Sequence, residues 1–159
     1  MVYLLDTNIF IESRKNLPMD IWRTFWNKLS ELAMNGLVVS SVKVKEEIEA
    51  GHDELSEWIK NNVPDTFFLP LDVDTMKVYA TLQNWVAGRD FTEAGKADFA
   101  VKADAFIISA AFAKGMTLVT FEKSNPQKKN RVMIPDACAA IGANCCDLNA
   151  MLRALDVVI

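Results

Sequence analysis

Four carboxylates sit where this chain could use them for chemistry. Asp6 ends the apolar run Val2-Tyr3-Leu4-Leu5, and Glu47 lies in Val44-Lys45-Glu46-Glu47-Ile48. Asp104 opens the stretch Ala105-Phe106-Ile107-Ile108-Ser109-Ala110-Ala111, and Glu122 follows Thr117-Leu118-Val119-Thr120-Phe121. An ionisable group set against a buried strand needs partners; Thr7 and Asn8 are placed to orient Asp6, and Thr120 is a third orienting group. Four anions gathered within about 5 Å would repel by roughly 3 kcal/mol per pair at an effective dielectric near 20. Something positive must offset that. Hard oxygen donors suit Mg²⁺ or Mn²⁺, held by a few carboxylates and waters with positions left for phosphate oxygens. Such an ion activates a water and steadies the charge of an in-line phosphoryl displacement. The chemistry implied is phosphodiester hydrolysis.

Other chemistries lack their residues. The single histidine, His52, falls in the polar turn Gly51-His52-Asp53-Glu54, which leaves little room for a serine or cysteine triad or a histidine-rich zinc site. The three cysteines, Cys138, Cys145 and Cys146, have no metal-ligand spacing and read as reduced thiols of a cytoplasmic protein.

The elements that must bring the acids together can be read from composition and periodicity. With 159 residues, 51% hydrophobic and 24% charged, the chain fits one globular domain spanning 1–159 with a substantial core. The longest nearly apolar run, Ala105 to Ala113, is about half of what a spanning helix needs, so neither a membrane span nor a cleavable signal is expected. Val2–Leu5, Leu37–Val39 and Thr117–Phe121 suit strands buried on both faces; Thr66–Leu71 and Val132–Ile134 are weaker strand candidates. Between them lie helical patterns. Ile21, Trp22, Phe25, Trp26, Leu29, Leu32 and Ala33 recur at three and four, Asp74 can cap a helix through Val86, and Ala103–Ala113 forms another that stops at Gly115. Strands alternating with helices imply a mostly parallel sheet in a three-layer α/β/α sandwich, with ligands bound outside the carboxyl ends of the strands.

That topology puts Asp6 and Glu122 on one rim. Glu47 belongs to a helix opened by Ser40 or Ser41 and closed by Gly51; at 100° per residue it lies about 80° from the centre of the Val44/Ile48 stripe, while Glu46 points to the far side. Asp104 can face the same crevice from a helix start.

These four blocks, taken in order, resemble the PIN-domain ribonucleases along essentially the whole chain, most closely a bacterial subgroup related to VapC-type toxins. The tail, Ile134-Pro135-Asp136-Ala137-Cys138 to Met151-Leu152-Arg153-Ala154-Leu155, also looks like that subgroup. The resemblance implies an α/β/α fold, Mg²⁺ or Mn²⁺ dependence, cleavage of RNA and neutralisation by an antitoxin protein, and it leaves room for a homodimer. It assigns Asp6, Glu47 and Asp104 to the metal-binding acids and Glu122 to the fourth acidic position, where many relatives carry aspartate. Asp98 is a reserve ligand, because six residues turn a helix by about 240° and both it and Asp104 can face one site only if the backbone breaks between them.

Net charge is −4, yet Lys96 to Arg131 holds seven basic residues against three acidic ones. Lys123, Lys128, Lys129 and Arg131 are the candidate RNA phosphate contacts in that stretch. Two other phosphoryl-transfer readings fail on their residues: a haloacid-dehalogenase-type phosphatase needs an acid where Asn8 stands, and a receiver domain needs paired acids after the first strand. The non-enzymatic alternative is an inactive PIN-like module that binds a protein partner through Trp22, Phe25 and Trp26, although their spacing suits core packing better.

Overall fold

A computed structural model describes residues 1–159. Five short strands form one sheet: β1 (Tyr3–Leu5), β2 (Val38–Ser41), β3 (Phe68–Leu69), β4 (Thr117–Val119) and β5 (Asn144–Cys146). Their order across the sheet is β3-β2-β1-β4-β5, and every pairing is parallel. The sequence implied a mostly parallel sheet; it is wholly so. Parallel neighbours need crossover connections, which is why helices cover the sheet and why Leu4, Leu5, Val38, Leu118 and Val119 are fully buried.

The chain leaves β1 directly into α1 (Thr7–Asn16), continues through α2 (Arg23–Met34) and enters β2. After β2 come α3 (Val42–Glu49) and α4 (Glu54–Asn62), then a 3₁₀ turn (Asp65–Phe67) and β3. A long excursion through α5 (Val73–Ala87), α6 (Glu93–Val101) and α7 (Ala103–Lys114) returns the chain to the middle of the sheet at β4. A loop, then α8 (Ile134–Ile141), β5 and α9 (Leu148–Ala154) complete it. The strand order reverses at β1, whose neighbours β2 and β4 are reached by separate crossovers, so the crevice at its carboxyl end is the topological switch point.

Helix α7 is apolar nearly all round because it is enclosed: Ala103 to Ala111 are all buried, and it packs on β1, β2, β4, α3, α5 and α8. Gly115, at φ 65°, ends it in the left-handed region that glycine adopts freely. The buried core of 34 residues runs without a break from the sheet through α2, α4, α5 and α7. No helix is long and apolar enough to cross a membrane.

Several expectations are corrected. Val132–Ile134 is not a strand; Ile134 begins α8, with Pro135 in its first turn, and the fifth strand is Asn144–Cys146. Helix α5 is capped by Asp72, whose side chain accepts from the Thr75 N–H at 2.9 Å, not by Asp74. Helix α2 starts at Arg23, leaving Ile21 and Trp22 exposed. Phe25 and Trp26, by contrast, are buried, and the Trp26 ring N–H donates to the Leu17 carbonyl at 2.7 Å, so neither is on a surface where a partner could touch it.

Candidate active site

The carboxyl edge of the sheet is built by strands that run one residue past their ladders. The Asp6 N–H donates to the Val119 carbonyl at 3.0 Å and the Thr120 N–H to the Cys146 carbonyl at 3.0 Å, so Asp6 and Thr120 leave β1 and β4 side by side. Ser40, fully buried in β2, donates its hydroxyl to the Leu5 carbonyl at 2.7 Å and secures the same end of β1.

Asp6 is only 2% exposed and has no cationic partner. Burial, with the charges of Asp104 and Glu122 adding to it, pushes its carboxyl up to about 8, while the Thr120 hydroxyl, donating at 2.8 Å, draws it the other way. Asp104, in the first turn of α7, is pushed up to about 6, again mainly by burial and next by Glu122, with Arg131 opposing and Glu47 reinforcing. The charges of Asp104 and Glu122 therefore reach Asp6, and those of Glu122 and Glu47 reach Asp104, around a single crevice.

Glu47 reaches this crevice from α3. That helix is capped by Ser41, whose hydroxyl accepts from the Lys43 N–H at 3.2 Å, and Val44 and Ile48 are its buried positions. This is the stripe read from the sequence, and Glu46 faces away to pair with Lys43 at 3.4 Å. Although Glu47 is exposed, both its oxygens are used: Oε2 accepts from the Thr7 hydroxyl at 2.8 Å and Oε1 from the Ala103 N–H at 2.9 Å, which caps α7 from another element. Thr7 was expected to orient Asp6; it orients Glu47 instead. Asn8, expected in the same role, braces the turn after β4 by accepting from the Phe121 N–H at 3.2 Å and donating to Thr120 at 3.4 Å. Of the three orienting groups, Thr120 reaches Asp6 with its side chain and Asn8 with its backbone N–H, each drawing the carboxyl down; Thr7 does not.

Glu122 is held by Arg131, whose Nη2 is 2.8 Å away, and by the Ile134 N–H at 3.2 Å. The same Nη2 lies 3.6 Å from Asp104. Arg131 thus points into the acids, a placement that no periodicity or motif marked. Asp98 meets the condition set for it, because α6 and α7 are broken at the extended residue Lys102; even so, its carboxylate pairs with the Lys102 ammonium at 3.0 Å. Lys123 and Lys129 are exposed and Lys128 half-buried in the loop after β4. That loop is fastened to α6: the Thr92 N–H donates to the Lys129 carbonyl at 2.9 Å, and a Cβ on Gly95 would come within 2.9 Å of the Asn130 carbonyl oxygen.

Hard carboxylate oxygens, one of them buried with no positive partner, are the donor chemistry that Mg²⁺ or Mn²⁺ takes. Asp6, Asp104, Glu122 and Glu47 would hold such an ion. As the side chains stand, no three of them form a ready ligand group, and the reason is visible: Glu47 and Glu122 already spend their oxygens on protein donors. Beside the acids lies an open depression of about 520 Å³, lined by Thr120, Glu122, Lys123, Cys138, Cys145 and Cys146 among others. The three thiols are unbridged.

Comparison with known proteins agrees with this architecture. The crystal structure of VapBC2 from Rickettsia felis, bound to a DNA fragment from its promoter, contains a chain that superposes with a TM-score of 0.51 at 21% identity, over 76% of this chain and 87% of that one. FitAcB from Neisseria gonorrhoeae gives a TM-score of 0.57 at 18% identity, over 91% and 96%. At such identities the likeness is one of fold, and the fold is that of PIN domains. A search of the curated proteins finds no match. From Tyr3 to the last residue, Ile159, the chain matches the family described as "Domain of unknown function (DUF4411)", and to that family it belongs.

Proposed function

We propose that this chain is a metal-dependent endoribonuclease that hydrolyses RNA phosphodiester bonds, acting in the cytoplasm as the toxin of a toxin–antitoxin pair within the wider group of VapC-type PIN proteins. The observation that carries the reading is the pair Asp6 and Asp104, two buried carboxylates from separate elements, each with raised proton affinity, the charge of Asp104 adding to that of Asp6, at the switch point of a parallel sheet. A structural role alone gives no reason to bury two like charges together.

Mg²⁺ or Mn²⁺, when bound, supplies an activated water and a counter-charge to the phosphate. The chain's own residues do the rest. Asp6 and Asp104 provide the negative field, Thr120 fixes the rotamer of Asp6, and Glu47 holds the start of α7 so that Asp104 faces inward. The exposed lysines after β4 supply charge for the strand's other phosphates. An antitoxin partner is proposed because the two similar folds above were solved as VapBC2 and FitAcB.

The reading is tested with purified chain and a single-stranded RNA. Cleavage should require Mg²⁺ or Mn²⁺, and Asp6→Asn or Asp104→Asn should abolish it with the fold intact by circular dichroism. Cleavage surviving both substitutions overturns the reading. The second reading, an inactive module, draws on one observation, the Arg131 guanidinium already set against Glu122 and Asp104. It predicts no metal-dependent cleavage from the unaltered chain.

A further inference from the structure

The acids have one cation among them, and it belongs to the chain. Both contacts of Arg131, to Glu122 Oε2 at 2.8 Å and to Asp104 Oδ2 at 3.6 Å, run through Nη2. Lys102, the other nearby cation, is turned to Asp98. A guanidinium offers five N–H donors in a fixed fork; Nε and Nη1 of Arg131 make no hydrogen bond to the protein, and two-fifths of the side chain is open to solvent. Its backbone is not free to travel, because Lys129 and Asn130, just before it, are pinned against Thr92 and Gly95. Only the side chain can swing.

The oxygens that Arg131 occupies are those a divalent ion would need, and two cations cannot share them without mutual repulsion. Resting on the reading above, we infer that Arg131 and the divalent ion hold Asp104 and Glu122 in turn, and that the guanidinium released by the ion becomes the residue that binds a phosphate of the RNA strand. The fork that now faces solvent matches phosphate oxygens two at a time. The same residue would then offset part of the crevice's negative charge at rest and position substrate once the ion is bound. This also accounts for the lack of a three-acid ligand group: Glu122 is held by Arg131 and the Ile134 N–H until something displaces them.

Three measurements on the full chain test this. Mn²⁺ uptake, read from the loss of the free-ion electron paramagnetic resonance signal, should be at least about threefold tighter in Arg131→Ala than in the unaltered protein. Lys129→Ala, which removes a charge from the same loop without touching the acids, should change it much less. In ¹⁵N-arginine-labelled protein, Mg²⁺ should move the Arg131 side-chain signal to that of a free guanidinium and speed hydrogen exchange at the Ile134 amide. With a 2′-O-methyl oligoribonucleotide, which resists hydrolysis, Arg131→Ala should weaken binding about tenfold in Mg²⁺ and no more than about twofold in EDTA; Arg131→Lys, which keeps the charge and loses the fork, should recover only part of the loss. An Arg131 signal unmoved by saturating Mg²⁺, equal Mn²⁺ affinity in Arg131→Ala and Lys129→Ala, or equal RNA losses with and without Mg²⁺ overturns the inference while the metal site stands. Should neither the unaltered protein nor Arg131→Ala take up Mn²⁺, the metal reading itself falls and takes the inference with it.

Discussion

Thr120 reaches across 114 positions of sequence to Asp6: its hydroxyl donates to Asp6 Oδ2 at 2.8 Å while accepting from the Glu122 N–H at 3.0 Å. One side chain therefore sets the rotamer of one acid and the backbone leading to another. Thr120→Val keeps the shape and removes these two bonds, with the longer one from the Asn8 amide at 3.4 Å, in a site that is 2% exposed. The expected cost is about 1–3 kcal/mol in urea unfolding, with Thr120→Ser recovering most of it. A loss under about 0.5 kcal/mol in the valine variant would show that water replaces the hydroxyl and that Asp6 is positioned by other means.

The two raised carboxyls make stability depend on pH in a direction opposite to that of an ordinary paired acid. Asp6 is pushed up to about 8 and Asp104 to about 6, from an ordinary value of 3.8. Between pH 4 and those values the unfolded chain has released the protons while the folded chain retains them, so stability is greatest at the acidic end. It falls by about 1.4 kcal/mol per pH unit for each group until that group ionises in the folded state. In EDTA, the protein should therefore resist urea better at pH 5 than at pH 8. Asp6→Asn should flatten most of the slope above pH 6. A wild-type protein that grows more stable from pH 5 to pH 8 would mean that Asp6 is ionised and compensated.

Glu47 separates a structural from a chemical duty. Its oxygens accept from Thr7 and from the Ala103 N–H. Glu47→Ala leaves the first turn of α7 without its partner and should cost about 1–2 kcal/mol, as loss of a helix cap does. Glu47→Gln still offers an oxygen to Ala103 and an amide to the Thr7 hydroxyl, so its stability should lie within about 1 kcal/mol of wild type while metal-dependent cleavage drops severely. Full activity in the glutamine variant would assign Glu47 to holding α7 alone.

How much of this was readable from sequence follows from how local each signal is. Leu4-Leu5-Asp6 declares a buried parallel strand and its rim, and the Val44/Ile48 stripe alone placed Glu47 inward, because both patterns lie within a few residues. Helix α1 was hidden because it starts at Thr7 with no linker after β1 and carries the β-branched Thr7, Ile9 and Ile11, which read as anything but helix. Strand β5 was hidden because Asn144-Cys145-Cys146 has no β-branched residue, and its pairing with β4 alone makes it a strand. Val132–Ile134 shows the converse: apolar and β-branched, it is buried because α8 begins there, not because it pairs. The acids could be grouped by topology. Their bonding partners could not, since Thr7 to Glu47 and Arg131 to Asp104 are meetings of distant segments that no spacing encodes.

Lys128 and Lys129 can now be separated from Arg131, with which they share the basic stretch. They extend from a loop pinned at Thr92 and Gly95 and make no ion pair, whereas Arg131 is spent on Glu122 and Asp104. Each lysine that contacts a phosphate adds about 0.7 to the slope of log affinity against log salt for a single strand. Lys128→Ala with Lys129→Ala should therefore weaken single-stranded RNA binding at low salt and lower that slope by about 1.4, with the melting temperature unchanged because both side chains leave the core untouched. Fluorescence anisotropy between 50 and 200 mM salt reads this directly. A slope that stays put in the double variant would make the loop an ordinary solvated one, and the strand would then have to cross the acids from the side of the depression bounded by Lys123 and Asp147.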